Sequence, residues 1–227
     1  MSIQSPNNVV SCEVLEKIFL IQRGNNYGSS FAYKVGSKQY LITAKHLFTD
    51  IANDDSFKIK IFHDGQWKSI RVKAVVLESI ENYDAIALEL NTPLISDINY
   101  ILSADSLTLG QDLYFLGFPY GLYSPSKINR GFPLPLVKKG CLSGINFNGS
   151  FAELIIDGHN NPGFSGGPIV TQNIFTGNIQ IIGIIHAFRK ANQETGENSG
   201  IFFAHDPKPL QQFFFAVVLD HLLSTLV

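Results

Sequence analysis

Short runs rich in Val, Ile, Leu, Phe and Tyr recur along almost the whole chain, each closed by Gly, Asn, Asp or Pro. They read "VLEKIFLI", "SSFAYKV", "QYLITA", "FKIKIF", "IRVKAVVL", "DAIALEL", "DLYFLGF", "AELIID", "PIVT", "IQIIGIIHAF" and "GIFFAH". In "FKIKIF" and "IRVKAV" apolar and polar residues alternate, the two-residue period of a half-buried strand. About eleven strands at this spacing predict an all-β barrel or sandwich, since a parallel α/β sheet needs helices between its strands. Helical periodicity enters only from Pro207, where Leu210, Phe213, Phe214, Val217, Val218 and Leu222 would form one wide apolar face packed on the barrel. Between Gly121 and Val137, "GLYSPSKINRGFPLPLV" carries no strand pattern and is expected to divide the strands into two comparable groups.

The 227 residues suffice for one large domain, and 45% apolar with 16% charged residues describes an ordered chain. A net charge of −2 gives no electrostatic footprint for nucleic acid. The N-terminal segment lacks a basic region followed by a long apolar stretch, and the unbroken apolar run Phe213 to Leu219 is too short to span a bilayer. Cys12 and Cys141 could form one disulfide at most, so a reducing, cytoplasmic setting with free thiols and no membrane partner is expected. No His/Cys cluster has metal-ligand spacing and no phosphate-cradling loop opens a helix, so neither metal nor cofactor is expected.

One stretch fits no strand interior. "NPGFSGGPIV", residues 161 to 170, sets three glycines and two prolines around Ser165. It is either a tight turn with an incidental serine or a nucleophile held beside inward-facing backbone amides. A nucleophilic serine needs a base, and the base needs an orienting acid. Of the six histidines, His46 stands where the run "YLIT" gives way to small residues and a short helical turn, whereas His63 in "IFHDG" reads as a structural strand end. Asp84 in "NYDAIALEL" is a carboxylate at the edge of a buried run, where an unpaired charge is costly.

"LITAKHLF", "YDAIALEL" and "NPGFSGGPIV", in that order and 38 and 81 residues apart at His46, Asp84 and Ser165, resemble the three catalytic motifs of trypsin-like (chymotrypsin-fold) serine peptidases. "GSSFAY", "LGFPYG" and "VKKGCLSGI" are similar to segments of the bacterial high-temperature-requirement (Deg-type) branch, so the likeness covers residues 27 to 205. The resemblance implies two packed antiparallel β-barrels, about 12–105 and 106–205, followed by a helix over 206–227, in one peptidase domain without an appended PDZ module. It implies a serine endopeptidase acting on protein or peptide substrates, with Ser165 as nucleophile, His46 as general base and Asp84 as its orienting partner. The amides of Gly163 and Ser165 would form the oxyanion hole.

The chain departs from the family at Phe164, where many secreted members carry an aspartate that pairs with a newly cut N-terminus; activation by that route is not expected. The resemblance also places His159 at the base of the primary specificity pocket and His186, Ala187 and Phe188 along its wall, a setting suited to an acidic or polar side chain. Otherwise His159 is an exposed turn residue and His186 a hydrogen-bonded strand histidine. Two rival functions remain at this point. A trypsin-like fold can serve as a catalytically idle peptide-binding module. "GFSGG" also satisfies the G-x-S-x-G elbow of α/β-hydrolase esterases, with Asp206 and His221 downstream, but that elbow must lead into a helix.

Overall fold

The computed structural model describes residues 10–98, 100–125, 129–173, 175–192 and 194–224, with side chains to residue 219. Six strands close the first barrel in the order β1-β2-β3-β6-β5-β4: β1 (Ile18–Arg23), β2 (Asn26–Val35), β3 (Lys38–Thr43), β4 (Ser56–His63), β5 (Gln66–Val75) and β6 (Ile86–Leu90). The second barrel is the ring β11-β8-β9-β10-β13-β12, closed by pairing of β12 with β11. Its strands are β8 (Asp112–Gly117), β9 (Leu136–Asn148), β10 (Phe151–Asp157), β11 (Pro168–Gln172), β12 (Ile179–Lys190) and β13 (Asn198–His205). Barrel closure leaves few open strand edges, and all ring pairings are antiparallel. The all-β, two-barrel expectation and the C-terminal helix are thus observed.

The period of two explains why many strands read as unbroken apolar runs. In β1, Phe19 and Ile21 fill the first barrel with Leu41, Ile59, Val72 and Leu88, while Ile18 and Leu20 point outward into the seam between barrels. In β8, Leu113 and Phe115 enter the second barrel with Leu154, Ile169 and Phe202, and Leu116 turns to the seam. Strands buried on both faces have no solvent side to make polar. Each such side chain contributes roughly 1.5–3 kcal/mol, and a one-residue slip would exchange the two faces at once.

Three sequence expectations need adjustment. The Pro-rich connection does not separate the two strand groups: it joins β8 to β9 inside the second barrel, where Ser124 bridges Leu134. Tyr100–Leu102, although before residue 106, form β7, which pairs in parallel with β12 of the second barrel. "VLEKIFLI" begins as a helical turn, α1 (Cys12–Leu15), closed by backbone bonds from Leu15 to Ser11 and from Glu16 to Cys12, with Glu13 in its first turn, and the strand follows at Ile18.

The helix α2 (Lys208–Ser224) returns to the first barrel, where Phe214 packs 5.1 Å from Tyr33 and 4.9 Å from Tyr40, ring centre to ring centre. Its buried face is narrower than its periodicity implies, with Leu210 and Phe214 buried and Val218 exposed; the side chain of Leu222 lies outside the described residues. Among the described residues no helix is long and apolar enough to cross a membrane, and Cys12 and Cys141 are free thiols.

Candidate active site

His46 lies in a 3-10 turn (Lys45–Leu47) that follows β3 directly. Asp84 stands two residues before β6, the neighbour of β3 in the sheet, so strand pairing delivers the two residues side by side. The Asp84 carboxylate accepts twice from one residue, from the His46 backbone N–H at 2.7 Å and from ring Nδ1–H at 2.5 Å. Both the position and the rotation of the imidazole are thereby fixed. With its proton on Nδ1, the ring keeps a lone pair on Nε2. The imidazole is 43% exposed and the carboxylate 23%, so the ring is open to solvent while its partner is more enclosed. An open depression of about 570 Å³ runs past both residues, walled by Phe48, Thr49, Ile51 and Glu78.

Ser165 comes from the other barrel, on the loop between β10 and β11, and is pinned to the first. Its carbonyl accepts from Ser29 N–H at 2.9 Å, at the start of β2. Ser29 is buried and binds the loop a second time, its Oγ donating to Gly163 O at 2.7 Å and accepting from Phe118 N–H at 3.0 Å. Thr43 Oγ1, at the end of β3, donates to Ser29 O at 2.7 Å. The glycine that follows Ser165 is required by this contact. Gly166 has φ +81° and sits so close to Thr43 and Ala44 that a Cβ would strike Thr43 Oγ1 and approach Ala44 N to 2.7 Å. Ser165 is therefore seated against the strand end that carries His46. Neither Ser165 Oγ nor His46 Nε2 has a hydrogen-bond partner among the described residues, so the two are not bonded to each other in this structure.

Five successive amides around the serine divide into two sets. Phe164 N–H donates to Asn161 O, Gly166 N–H to Ile185 O and Gly167 N–H to Phe164 O, at 3.2, 2.8 and 2.7 Å. Those of Gly163 and Ser165 have no partner among the described residues. The orientation of the first is set by its own peptide plane: Pro162 O accepts from Tyr120 N–H at 2.8 Å, and in a trans peptide the N–H points the opposite way. Gly163 takes φ +103°, and a Cβ there would collide with Phe118 O. Phe164, in place of a carboxylate, is fully buried and plugs the second barrel against Phe115 at 5.1 Å.

Behind Asp84 lies a cluster in which sequence reading gave a role only to His186, on the wall of a specificity pocket. Asp84 N–H donates to His205 Nδ1 at 2.9 Å. Tyr83 stacks on the His205 ring at 5.3 Å between ring centres, and the His186 ring lies 3.9 Å from it. A bulge in β12 between Ile185 and Ala187 makes His186 the extra residue, which re-aims its side chain. His186 Nε2 lies 3.3 Å from Glu153 Oε1 but off hydrogen-bond alignment, and is otherwise unpartnered. Glu153, His186 and His205 bring one ligand atom each within 4.8 Å of one another. Their chemistry does not suit a cation, because a backbone N–H always donates. Neutral His205 must therefore accept at Nδ1 and carry its proton on Nε2, which leaves it no free lone pair for a metal.

The other residues expected around a specificity pocket are not joined to this cluster. His159 is exposed, and its carbonyl accepts from Lys138 Nζ at 2.5 Å. Ala187 and Phe188 are half-buried and pair with Phe203 and Phe202 of β13. His63 ends β4 and its Nε2–H donates to Arg130 O at 2.8 Å. Ser165 leads through Gly166 and Gly167 into strand β11, not into a helix, which removes the structural basis of the esterase elbow.

Burial, helped by neighbouring His186, pushes His205 down to about 3; burial pushes His186 down as well, against the pull of Asp84 and Glu153. A histidine depressed in the folded state stabilises fully above its unfolded value near 6.5, and this contribution is lost as pH falls toward the folded value. Asp206, raised to about 6 by burial, works oppositely: it favours the fold below about 3.8 and loses this contribution as pH rises through 6. The comparison of wild type with His205→Asn isolates the histidine. The wild type's stability advantage, read by chemical denaturation, is expected to shrink steadily from pH 6.5 toward pH 3. An advantage independent of pH would contradict a neutral, accepting His205.

The chain matches the family model described as a trypsin-like peptidase domain over residues 28–177, more than half its length. Its fold is similar to that of the HtrA-type protease AlgW with a tripeptide, at TM-score 0.63 and 20% identity, covering 91% of this chain and 61% of that one. It is also similar to the MamO protease domain from Magnetospirillum magneticum in its apo form, at TM-score 0.57 and 17% identity, covering 89% of this chain and 97% of that one. This chain thus spans about 61% of the AlgW chain it matches, and no curated protein matches its sequence. By the matched span, which holds His46, Asp84 and Ser165, the chain belongs to the trypsin-like peptidase domain family.

Proposed function

We propose that the chain is a serine endopeptidase that hydrolyses peptide bonds of protein or peptide substrates through an acyl-enzyme. His46 Nε2 takes the proton of Ser165 Oγ as the oxygen bonds to the scissile carbonyl carbon. Asp84 holds the Nδ1–H tautomer and stabilises the imidazolium. The carbonyl oxygen, now negative, is received by the amides of Gly163 and Ser165, where each such donor is worth about 3 kcal/mol in related chemistry. Collapse to the acyl-enzyme returns the proton from His46 to the leaving amine, and water repeats the sequence to release the acid.

The observation that carries this reading is the pattern of amides: of the five from Gly163 to Gly167, the two without partners among the described residues are those that the proposed mechanism assigns to the substrate oxyanion. An idle peptide-binding module is the second reading, supported by the unengaged Ser165 hydroxyl. A fluorophosphonate probe separates them. The folded wild type is expected to be labelled and Ser165→Ala to be silent; an unlabelled wild type selects the idle module.

A further inference from the structure

The loop from Gly158 to Gly167 holds the reacting groups yet has no regular secondary structure. Backbone bonds anchor it at Gly158, Pro162 and from Phe164 to Gly167, and side chains add to the hold on residues 159–161. One charged side chain reaches into it. Lys138, on β9, donates from Nζ to His159 O at 2.5 Å and to Asn161 Oδ1 at 2.8 Å. The same ammonium lies 5.7 Å from the ring centre of Phe164 and 6.0 Å from that of Phe115, within cation–π range of both. Among the described residues it forms no ion pair, whereas Lys139, on the opposite face of the strand, pairs with Asp112 at 2.7 Å. Partial burial lowers the pKa of Lys138.

We propose that Lys138 is a positioning residue whose ammonium clamps residues 159–164, so that the Gly163 and Ser165 amides face the cleft. The clamp works on both sides of the turn. Asn161, held by Lys138 through Oδ1, donates from Nδ2 to Tyr120 OH at 3.3 Å and accepts the Phe164 amide at its carbonyl. Tyr120 in turn holds Pro162 O, which sets the direction of the Gly163 N–H. Cation–π contact with Phe164 ties the residue before the nucleophile to the same ammonium. The ammonium is thus met by a carbonyl, an amide oxygen and two aromatic faces.

The inference rests on the oxyanion-hole reading, and its test can fail independently. Hydrogen–deuterium exchange of segment 158–165 is measured in wild type, Lys138→Met and Lys138→Arg, together with rates of fluorophosphonate labelling and kcat and KM on a peptide. In Lys138→Met the segment is expected to exchange at least tenfold faster while the barrel strands keep their protection. Labelling and kcat fall ten- to hundredfold with KM little changed, and Lys138→Arg recovers part of both. Should methionine unsettle the whole barrel, Asn161→Ala removes one of the clamp's two hydrogen-bond acceptors from the loop side and must give the same local loss. Unchanged exchange in the segment overturns the clamp in either variant. If wild type is not labelled, the peptidase reading fails, and the exchange data still decide whether Lys138 orders the loop.

Discussion

Ser165→Ala is expected to lower peptide turnover about 10⁶-fold, the loss typical when an activated nucleophile is removed, with thermal stability nearly unchanged. The two halves of this expectation have separate causes. The hydroxyl is the atom that bonds to the substrate in the proposed mechanism, so nothing replaces it. It makes no hydrogen bond among the described residues, so its deletion leaves none of them unsatisfied. The backbone of Ser165, which binds Ser29, survives the substitution intact. The measurement is kcat on an internally quenched peptide beside a melting curve. Retention of more than a hundredth of wild-type turnover would show that another group attacks.

Asp84→Asn is expected to cost about 10⁴ in kcat, because the amide is nearly isosteric with the carboxylate yet reverses the tautomer of the base. Asp84 accepts with both oxygens, from the His46 N–H and from the His46 ring. Asparagine has one accepting oxygen. If it keeps the backbone bond, its NH2 faces Nδ1, which must then accept, and the ring proton moves to Nε2, where it faces the serine. Substrate binding does not pass through this carboxylate, so KM should change little. Wild-type kcat in a folded Asp84→Asn variant would mean that His46 is not oriented by Asp84 for catalysis.

Much of the fold was legible because its physics is local. Alternation in "FKIKIF" gives β4, and the helical face after Pro207 gives α2. The two-barrel arrangement needed more than periodicity, since Ile18 and Phe19 look alike in sequence although they bury against different cores. The three candidate catalytic positions were legible from motif order, and strand pairing accounts for the meeting of His46 with Asp84. What the sequence hid were contacts between distant segments. Ser29 reads as an ordinary strand serine, His205 as a strand-end histidine and Lys138 as half of a basic pair. Only the folded chain shows Ser29 bridging Gly163 and Phe118, His205 accepting the Asp84 amide, and Lys138 crossing the nucleophile loop. His186 was placed along a specificity wall from its position in "GIIHAF"; the bulge that re-aims its ring toward His205 has no sequence signature.

The central claim is that two unpaired amides are prepared for an oxyanion beside Ser165. It is tested most directly by an experimental structure of the protein treated with a peptide boronic acid. The account predicts a covalent bond from Ser165 Oγ to boron, with one boronate oxygen about 2.7–3.1 Å from both the Gly163 and Ser165 nitrogens, the range for an oxyanion hole, and Pro162 O still bound to Tyr120. A boronate not attached to Ser165, or a turned peptide with Pro162 O pointing into the hole, would contradict it.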